Sequence, residues 1–283
     1  MFDRLQRSWD LATECTRLLV QDKRLLVFPL MSALAVVVLT ASFAVPLATV
    51  FGSQAGRGGG HGLSTLSYLA LFGFYWLQFA VIIFFNTALV EVAMRRFDGE
   101  DARIGEGLRR AVALLPVILI YAALAAFVGT LLRVVAERVG ILGRIVIGLI
   151  GFAWSVATAL VVPVLAAENV GPLEAIERSV ELIKKAWGED IIGNAGIGVV
   201  FMLIMVMTTL CGGFLALAAF AGHHLALGAL LLVLLILALC LLALAQATLQ
   251  GIYSAALYRY ASGDPATGGI DKGLLAGAFG ARS

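Results

Sequence analysis

Six long runs of apolar residues, separated by short polar stretches, dominate the chain. They extend from about Leu25 to Phe51, Leu66 to Met94, Ala111 to Leu132, Ile145 to Ala167, Ile191 to Ala221 and Leu225 to Tyr258. Each exceeds the roughly 20 residues that an α-helix needs to cross about 30 Å of hydrocarbon. The runs are continuously apolar, whereas a barrel strand alternates over about 10 residues. A helix also satisfies its own backbone polar groups, as a bilayer demands. The pattern predicts an all-α fold, a polytopic helical membrane protein built as a six-transmembrane-helix bundle with amphipathic cytoplasmic interfacial helices. It divides into an interfacial helix over residues 1–24, a membrane domain over 25–260 and a Gly/Ala-rich cytoplasmic tail over 261–283.

Two further segments show helical periodicity without the length of a span. Over Phe2 to Leu19, the residues Phe2, Leu5, Trp9, Ala12 and Leu19 recur at helical spacing, with Arg4, Arg7 and Arg17 off that stripe. Apolar residues toward acyl chains and basic residues toward headgroups make an interfacial helix. Over residues 172–187, Leu173, Ile176, Val180, Ile183 and Trp187 form a stripe at spacings of three and four. Pro172 suits the first helical position and Gly188 a C-terminal cap. Glu174 with Arg178, and Glu181 with Lys185, are favourable i,i+4 pairs. This segment reads as an elbow between the fourth and fifth spans; a docking surface for a partner is the second reading. Arg4, Arg7, Trp9, Arg17 and Trp187 are the candidate membrane-surface contacts.

Charge then fixes the topology. Sixteen of the 20 basic residues fall on one side of the six spans, and only Arg57, Arg133, Arg138 and Arg144 fall on the other. Basic residues concentrate in cytoplasmic loops. Both termini are therefore expected in the cytoplasm, and the localisation expected is the bacterial plasma membrane, crossed several times. The outer loops are short: a glycine-rich stretch near Gly52 to Gly62, a turn near Arg133 to Arg144, and a hairpin at Gly222, His223 and His224.

Composition agrees: 61% of the 283 residues are hydrophobic and 13% charged, against about 25% charged in soluble domains. That balance excludes a soluble enzyme or a disordered chain, and a net charge of +2 argues against nucleic acid as a partner. Three scattered cysteines, Cys15, Cys211 and Cys240, offer neither a disulfide framework nor metal spacing. The charged N-terminal stretch and long first run do not suit a cleavable signal peptide.

The chain resembles known proteins at two stretches. Ser8 to Leu30 reads SWDLATECTRLLVQDKRLLVFPL, and Val162 to Glu189 reads VPVLAAENVGPLEAIERSVELIKKAWGE. Together these resemble a family of uncharacterised six-span bacterial and archaeal integral membrane proteins, a domain of unknown function. The resemblance implies the same six-helix fold and carries no activity. More loosely, the turn after the fourth span looks like the membrane domains attached to some glycerophosphodiester phosphodiesterases. This chain shows no phosphodiesterase domain, so that activity does not transfer. A faint internal echo relates Met94 to Asp101 (MRRFDGED) to Leu257 to Asp264 (LYRYASGD).

Ionisable residues inside spans are functional candidates because they are costly there. Glu91 lies near the inner end of the second span, and Glu168 with Asn169 at the inner end of the fourth. Asn86 lies deeper in the second span, Asn194 at the start of the fifth, and Gln246 and Gln250 on one face of the sixth. All fall in the cytoplasmic half. They suggest a polar pocket open to the cytoplasm; the competing reading is interhelical hydrogen bonding or contact with headgroup water. Asn86 and Glu91 are five residues apart, about 140° around the helix, so they cannot share one narrow site. Gln78 is assigned to helix packing. Pro29, Pro46, Pro116 and Pro163 lie within about two turns of span ends, so interrupted helices of the transporter kind are not expected.

No catalytic constellation emerges. GNAGIG at Gly193 to Gly198 departs from the dinucleotide fingerprint. The histidines lie outside and the carboxylates cluster inside, which denies any serine a triad. No cofactor or metal is expected. The expected function is that of a non-catalytic inner-membrane scaffold or accessory subunit that binds a partner at its cytoplasmic face; the partners expected are membrane lipids and either another protein or a homo-oligomer. The alternative is a translocator or binder of a lipid or small amphiphile.

Overall fold

The computed structural model describes Leu19 and residues 22–55 and 65–263. A 3-10 turn at Lys23–Leu26 leads into eight helices: α1 (Val27–Ala55), α2 (Thr65–Phe97), α3 (Ile104–Ala113), α4 (Leu115–Arg138), α5 (Ile141–Ala157), α6 (Val161–Glu168), α7 (Pro172–Ala221) and α8 (Leu225–Ser262). No strand occurs among the described residues. Six helical stretches are long and apolar enough to cross a membrane: Lys23–Val45, Leu69–Phe97, Leu115–Ala136, Ile141–Glu168, Gly198–Ala221 and Leu225–Arg259. These match the six apolar runs, and the architecture is an all-α polytopic bundle.

Helix α2 is the hub. Its C-terminal half carries the buried run Ala88, Leu89, Val90, Val92, Ala93 and Met94, packed with Phe28, Ile118, Val164, Leu165 and Tyr253 from four other helices, α1, α4, α6 and α8. Along α2, Gln78 Nε2 donates to Thr40 Oγ1 of α1 at 3.2 Å, which bears out its assignment to packing. Trp76 Nε1 donates to the Leu119 carbonyl of α4 at 2.9 Å.

Two glycines let helices touch α2 closely. A Cβ on Gly107 would overlap the Ala88 carbonyl oxygen and lie 2.7 Å from Val92 Cγ2. A Cβ on Gly251 would overlap Leu89 Cδ2 and come within 3.2 Å of Asn86 Oδ1. Small residues at such crossings permit backbone approach and the dispersion contacts that join helices in lipid.

The core sits in one half of the bundle. Residues Ile141–Ala157 contain no buried side chain, and Leu142, Phe214 and Leu225 are 81%, 73% and 73% exposed. Lipid tails are as apolar as leucine, so such a surface is no liability in a membrane.

Four expectations need correction or placement. The fourth span is interrupted: Thr158–Leu160 forms a turn between α5 and α6. Pro163 has no N–H to bond the Ala159 carbonyl, and its ring crowds that carbonyl, so the helix breaks one turn before it. Gly188 does not cap a helix. The elbow and the fifth span form one unbroken 50-residue helix, α7. A glycine ends a helix by adopting a left-handed conformation, and among the described residues positive φ occurs only at Asn169, His223, Gly99 and Gly263. The predicted stripe of the elbow holds in part: Ile183 is buried and Ile176 and Val180 are half-buried, but Leu173 is exposed and the centre of the buried face is shifted to Ala175, Ser179 and Leu182. Finally, the N-terminal interfacial helix with Arg4, Arg7, Trp9 and Arg17, the loop with His61, the tail 264–283 and the side chains of Trp187 and Asn194 lie outside the described residues.

Candidate functional site

The polar ends of the helices are joined by ion pairs at one end of the bundle. Helix α2 ends in Arg95 and Arg96, whose positive charge suits a helix C-terminus. Gly99, at φ 78°, turns the chain so that the Gly99 and Glu100 amides donate to the Arg96 and Arg95 carbonyls at 3.0 Å. Glu106 then sits in the first turn of α3 and accepts from the Arg103 backbone amide at 3.4 Å, reciprocating half of a capping box.

This turn gathers three other segments. Arg95 Nε donates to Glu91 Oε1 at 2.8 Å, and its Nη1 lies 3.6 Å from Glu106 and 3.7 Å from Glu100. Arg96 bridges Asp22 and Asp101, each at 2.7 Å. Arg259, near the end of α8, pairs with Asp98. Asp22 and Arg259, close to the two limits of the described chain, are thus held at the same end of the bundle, as an even number of spans requires.

A second cluster surrounds the end of α6. Glu168 accepts from Arg178 Nε at 3.1 and 3.2 Å and from the Tyr258 hydroxyl at 2.9 Å. Arg178 Nη1 also donates to Glu181 at 3.1 Å. Hydrogen bonding to Glu168 first, and to Glu181 second, raises the Arg178 pKa above the ordinary guanidinium value. Arg110 of α3 donates Nε and Nη2 to the Ala166 carbonyl at 3.0 and 2.7 Å. At the other end of α6, about two turns away, the Leu160 amide, freed by the helix break, donates to the buried Ser179 hydroxyl at 3.2 Å. Helix α7 therefore satisfies a backbone group that α5 and α6 leave open, as any buried amide demands.

Of the sequence-derived pocket residues, only Glu91 and Glu168 take part in the ion-pair clusters. Glu91 and Glu168 enter separate ion pairs. Asn169 adopts the left-handed conformation that ends α6 and is exposed. Asn86 packs against Gly251, next to Gln250, and Gln246 is half-buried one turn away. The described residues contain no group of three or more metal-ligating side chains.

Sequence reasoning missed Ser179, Arg110, Gly107 and the Asp98–Arg259 pair. A signal for three of them exists. Counted from the first residue, α3 and α7 share glutamate at the third position (Glu106, Glu174) and a buried small residue at the fourth (Gly107, Ala175). They also share arginine at the seventh (Arg110, Arg178), a buried small residue at the eighth (Ala111, Ser179) and, counted to the residue that follows α3, a buried leucine at the eleventh (Leu114, Leu182). Both arginines engage the end of α6. This likeness is closer than the echo between Met94 to Asp101 and Leu257 to Asp264.

No curated protein and no solved structure matches the chain. A family of unknown function, DUF6159, matches residues 65–269, which include α3, the elbow and every member of the two ion-pair clusters except Asp22. With most of its length matched, the chain belongs to the DUF6159 family.

Proposed function

We propose that this protein is a non-catalytic scaffold or accessory subunit of a prokaryotic inner membrane, with both termini cytoplasmic, that holds a protein partner at its arginine-rich end. The orientation rests on the arginine and lysine bias of the loops. One observation carries the rest: the Glu168–Arg178–Tyr258 contact fixes the elbow so that Glu174, Glu177, Lys184 and Lys185 are exposed along it. A rigid element that presents alternating charge is suited to specific recognition, because little ordering is required on binding. The ion pairs of Glu91 and Glu168 also support a structural role for these carboxylates.

A photo-crosslinking residue at Glu177, and a second at Phe214 on the apolar surface, tests this in native membranes. The expected result is a discrete protein adduct from position 177, absent from position 214 and lost when Glu174 and Lys184 are reversed in charge. Adducts of equal yield at both positions, or only lipid adducts at position 177, would overturn it.

The interrupted fourth span favours the second reading, a translocator or binder of a lipid or small amphiphile. Discontinuous helices mark many transport sites, and here a buried segment, α6, joins an unpacked one, α5. That reading requires lipid flux in proteoliposomes that changes with Ser179→Ala.

A further inference from the structure

The cations at the arginine-rich end fall into two sets. Arg95, Arg96, Arg178 and Arg259 are ion-paired, and Arg110 is forked onto a carbonyl. Lys23, Arg24, Arg103, Arg109, Lys184 and Lys185 are exposed and enter no ion pair among the described residues, and three of these, Lys23, Arg24 and Arg109, adjoin exposed apolar residues. Their positions are not random with respect to the apolar surface. Along α3 and α4, Arg109 is followed on the same face by Val112, Ala113, Pro116 and Ile120, all exposed, at spacings of three, four, seven and eleven. The opposite face, Gly107, Ala111, Leu114 and Ile118, is buried in the bundle. Lys23 and Arg24 likewise precede the exposed Leu30, Met31 and Leu34 of α1. Glu106, one turn before Arg109, is directed to Arg95 and to the Arg103 amide.

We propose that Arg109 heads a binding site for an anionic phospholipid, with Lys23 and Arg24 forming a second contact of the same kind. The guanidinium fork takes the phosphodiester oxygens in two parallel hydrogen bonds. The arginine stem and the stripe Val112, Ala113, Pro116 and Ile120 lie against an acyl chain, as amphipathic side chains do at an interface. A zwitterionic lipid brings its own cation close to the guanidinium, so net negative charge is selected. The site is independent of any protein partner, because it faces outward from the bundle at the level where the exposed surface changes from charged to apolar.

The test uses the full chain, purified in detergent, titrated with phosphatidylglycerol, phosphatidylcholine and inorganic phosphate, and read by native mass spectrometry and by thermal shift. Phosphatidylglycerol is expected to bind in preference to phosphatidylcholine. Arg109→Gln should weaken it roughly fivefold, the increment for one interfacial cation, with unchanged gel-filtration behaviour. A variant with Val112→Ser and Ile120→Ser should weaken phosphatidylglycerol while leaving any response to inorganic phosphate unaltered. Equal binding of the two lipids, wild-type affinity in a folded Arg109→Gln variant, or displacement of the lipid by equimolar inorganic phosphate would overturn the proposal. The last result would assign the cations to a free anion instead.

Discussion

Substituting alanine at two glycines of one short helix separates close packing from helix propensity. Gly105 and Gly107 both lie inside α3, Ile104–Ala113. Replacing an interior glycine by alanine favours a helix by about 0.8–1.0 kcal/mol, and the unfolded-state entropy contribution is similar at both sites. Around Gly105 there is nothing within 4 Å of an added Cβ. At Gly107 the added Cβ overlaps the Ala88 carbonyl oxygen and lies 2.7 Å from Val92 Cγ2. The oxygen belongs to the α2 backbone and cannot rotate away, so α3 must lift from α2. Overpacking of this kind costs about 1–3 kcal/mol. Gly105→Ala should therefore raise stability by most of 1 kcal/mol, and Gly107→Ala should lower it, with a gap of about 1–3 kcal/mol between them. At about 2–4 °C per kcal/mol for a chain of this size, the melting temperatures should differ by roughly 2–12 °C. The assay is thermal unfolding of both variants in one detergent, at one scan rate. Gly107→Ala rising as far as Gly105→Ala would refute the close approach of α3 to α2.

Four other outcomes follow from the same packing. Ser179→Ala leaves the Leu160 amide buried and unpaired, at a cost of about 1–3 kcal/mol, and hydrogen exchange at Leu160 should accelerate while exchange in α2 stays slow. Leu165→Ala, in the buried core, should destabilise by about 2–5 kcal/mol, whereas Leu142→Ala, on the apolar exterior, should stay within about 0.5 kcal/mol of wild type, as unfolding in detergent can measure. Glu168→Gln removes the charge opposite Arg178, which is partly exposed, so the loss should be no more than about 1 kcal/mol and should shrink in 1 M salt when melts are compared across ionic strength. The Arg178 pKa is raised above the ordinary guanidinium value, so its contribution is complete below that ordinary value and is lost only as pH rises through the higher folded one. The difference in melting temperature between wild type and Arg178→Gln should accordingly show no dependence on Arg178 ionisation across neutral and mildly alkaline pH.

Much of this architecture is legible in the apolar pattern, and the exceptions have physical causes. The six runs are unambiguous because nothing but a helix satisfies its backbone over such lengths in lipid. The break at Thr158–Leu160 is implied by Pro163, yet distance from the span end made it look harmless; the proline acts one turn upstream, at the Ala159 carbonyl, inside the span. The elbow stripe is only partly right, because the pattern of large residues includes Leu173, which is exposed, and omits the small ones. In a tight helix contact the small residues Ala175 and Ser179 face the neighbour, and the large one faces away. Gly188 illustrates a related point: glycine in a helix costs stability without ending it unless the backbone turns left-handed.

The ion pairs were the least legible part. Glu91 with Arg95 is an i,i+4 pair and could have been found by spacing alone. Asp98 with Arg259 and Asp22 with Arg96 join residues far apart in sequence, and only the assembled bundle brings them together. Glu168 drew attention as a costly carboxylate at a span end; Arg178 and Tyr258, which engage it, come from two other helices.

Asp22, Glu91, Asp98 and Glu168 are engaged in ion pairs that lock the loops and the elbow to the bundle. A density map of the full chain in lipid nanodiscs, at a resolution that shows side chains and ordered water, tests it most directly. The account predicts Glu168 hydrogen-bonded to Arg178 and Tyr258, Glu91 paired with Arg95, and no water-filled passage joining the two carboxylates. Glu91 and Glu168 lining one hydrated or ligand-filled cavity, with Arg95 and Arg178 turned away, would contradict it.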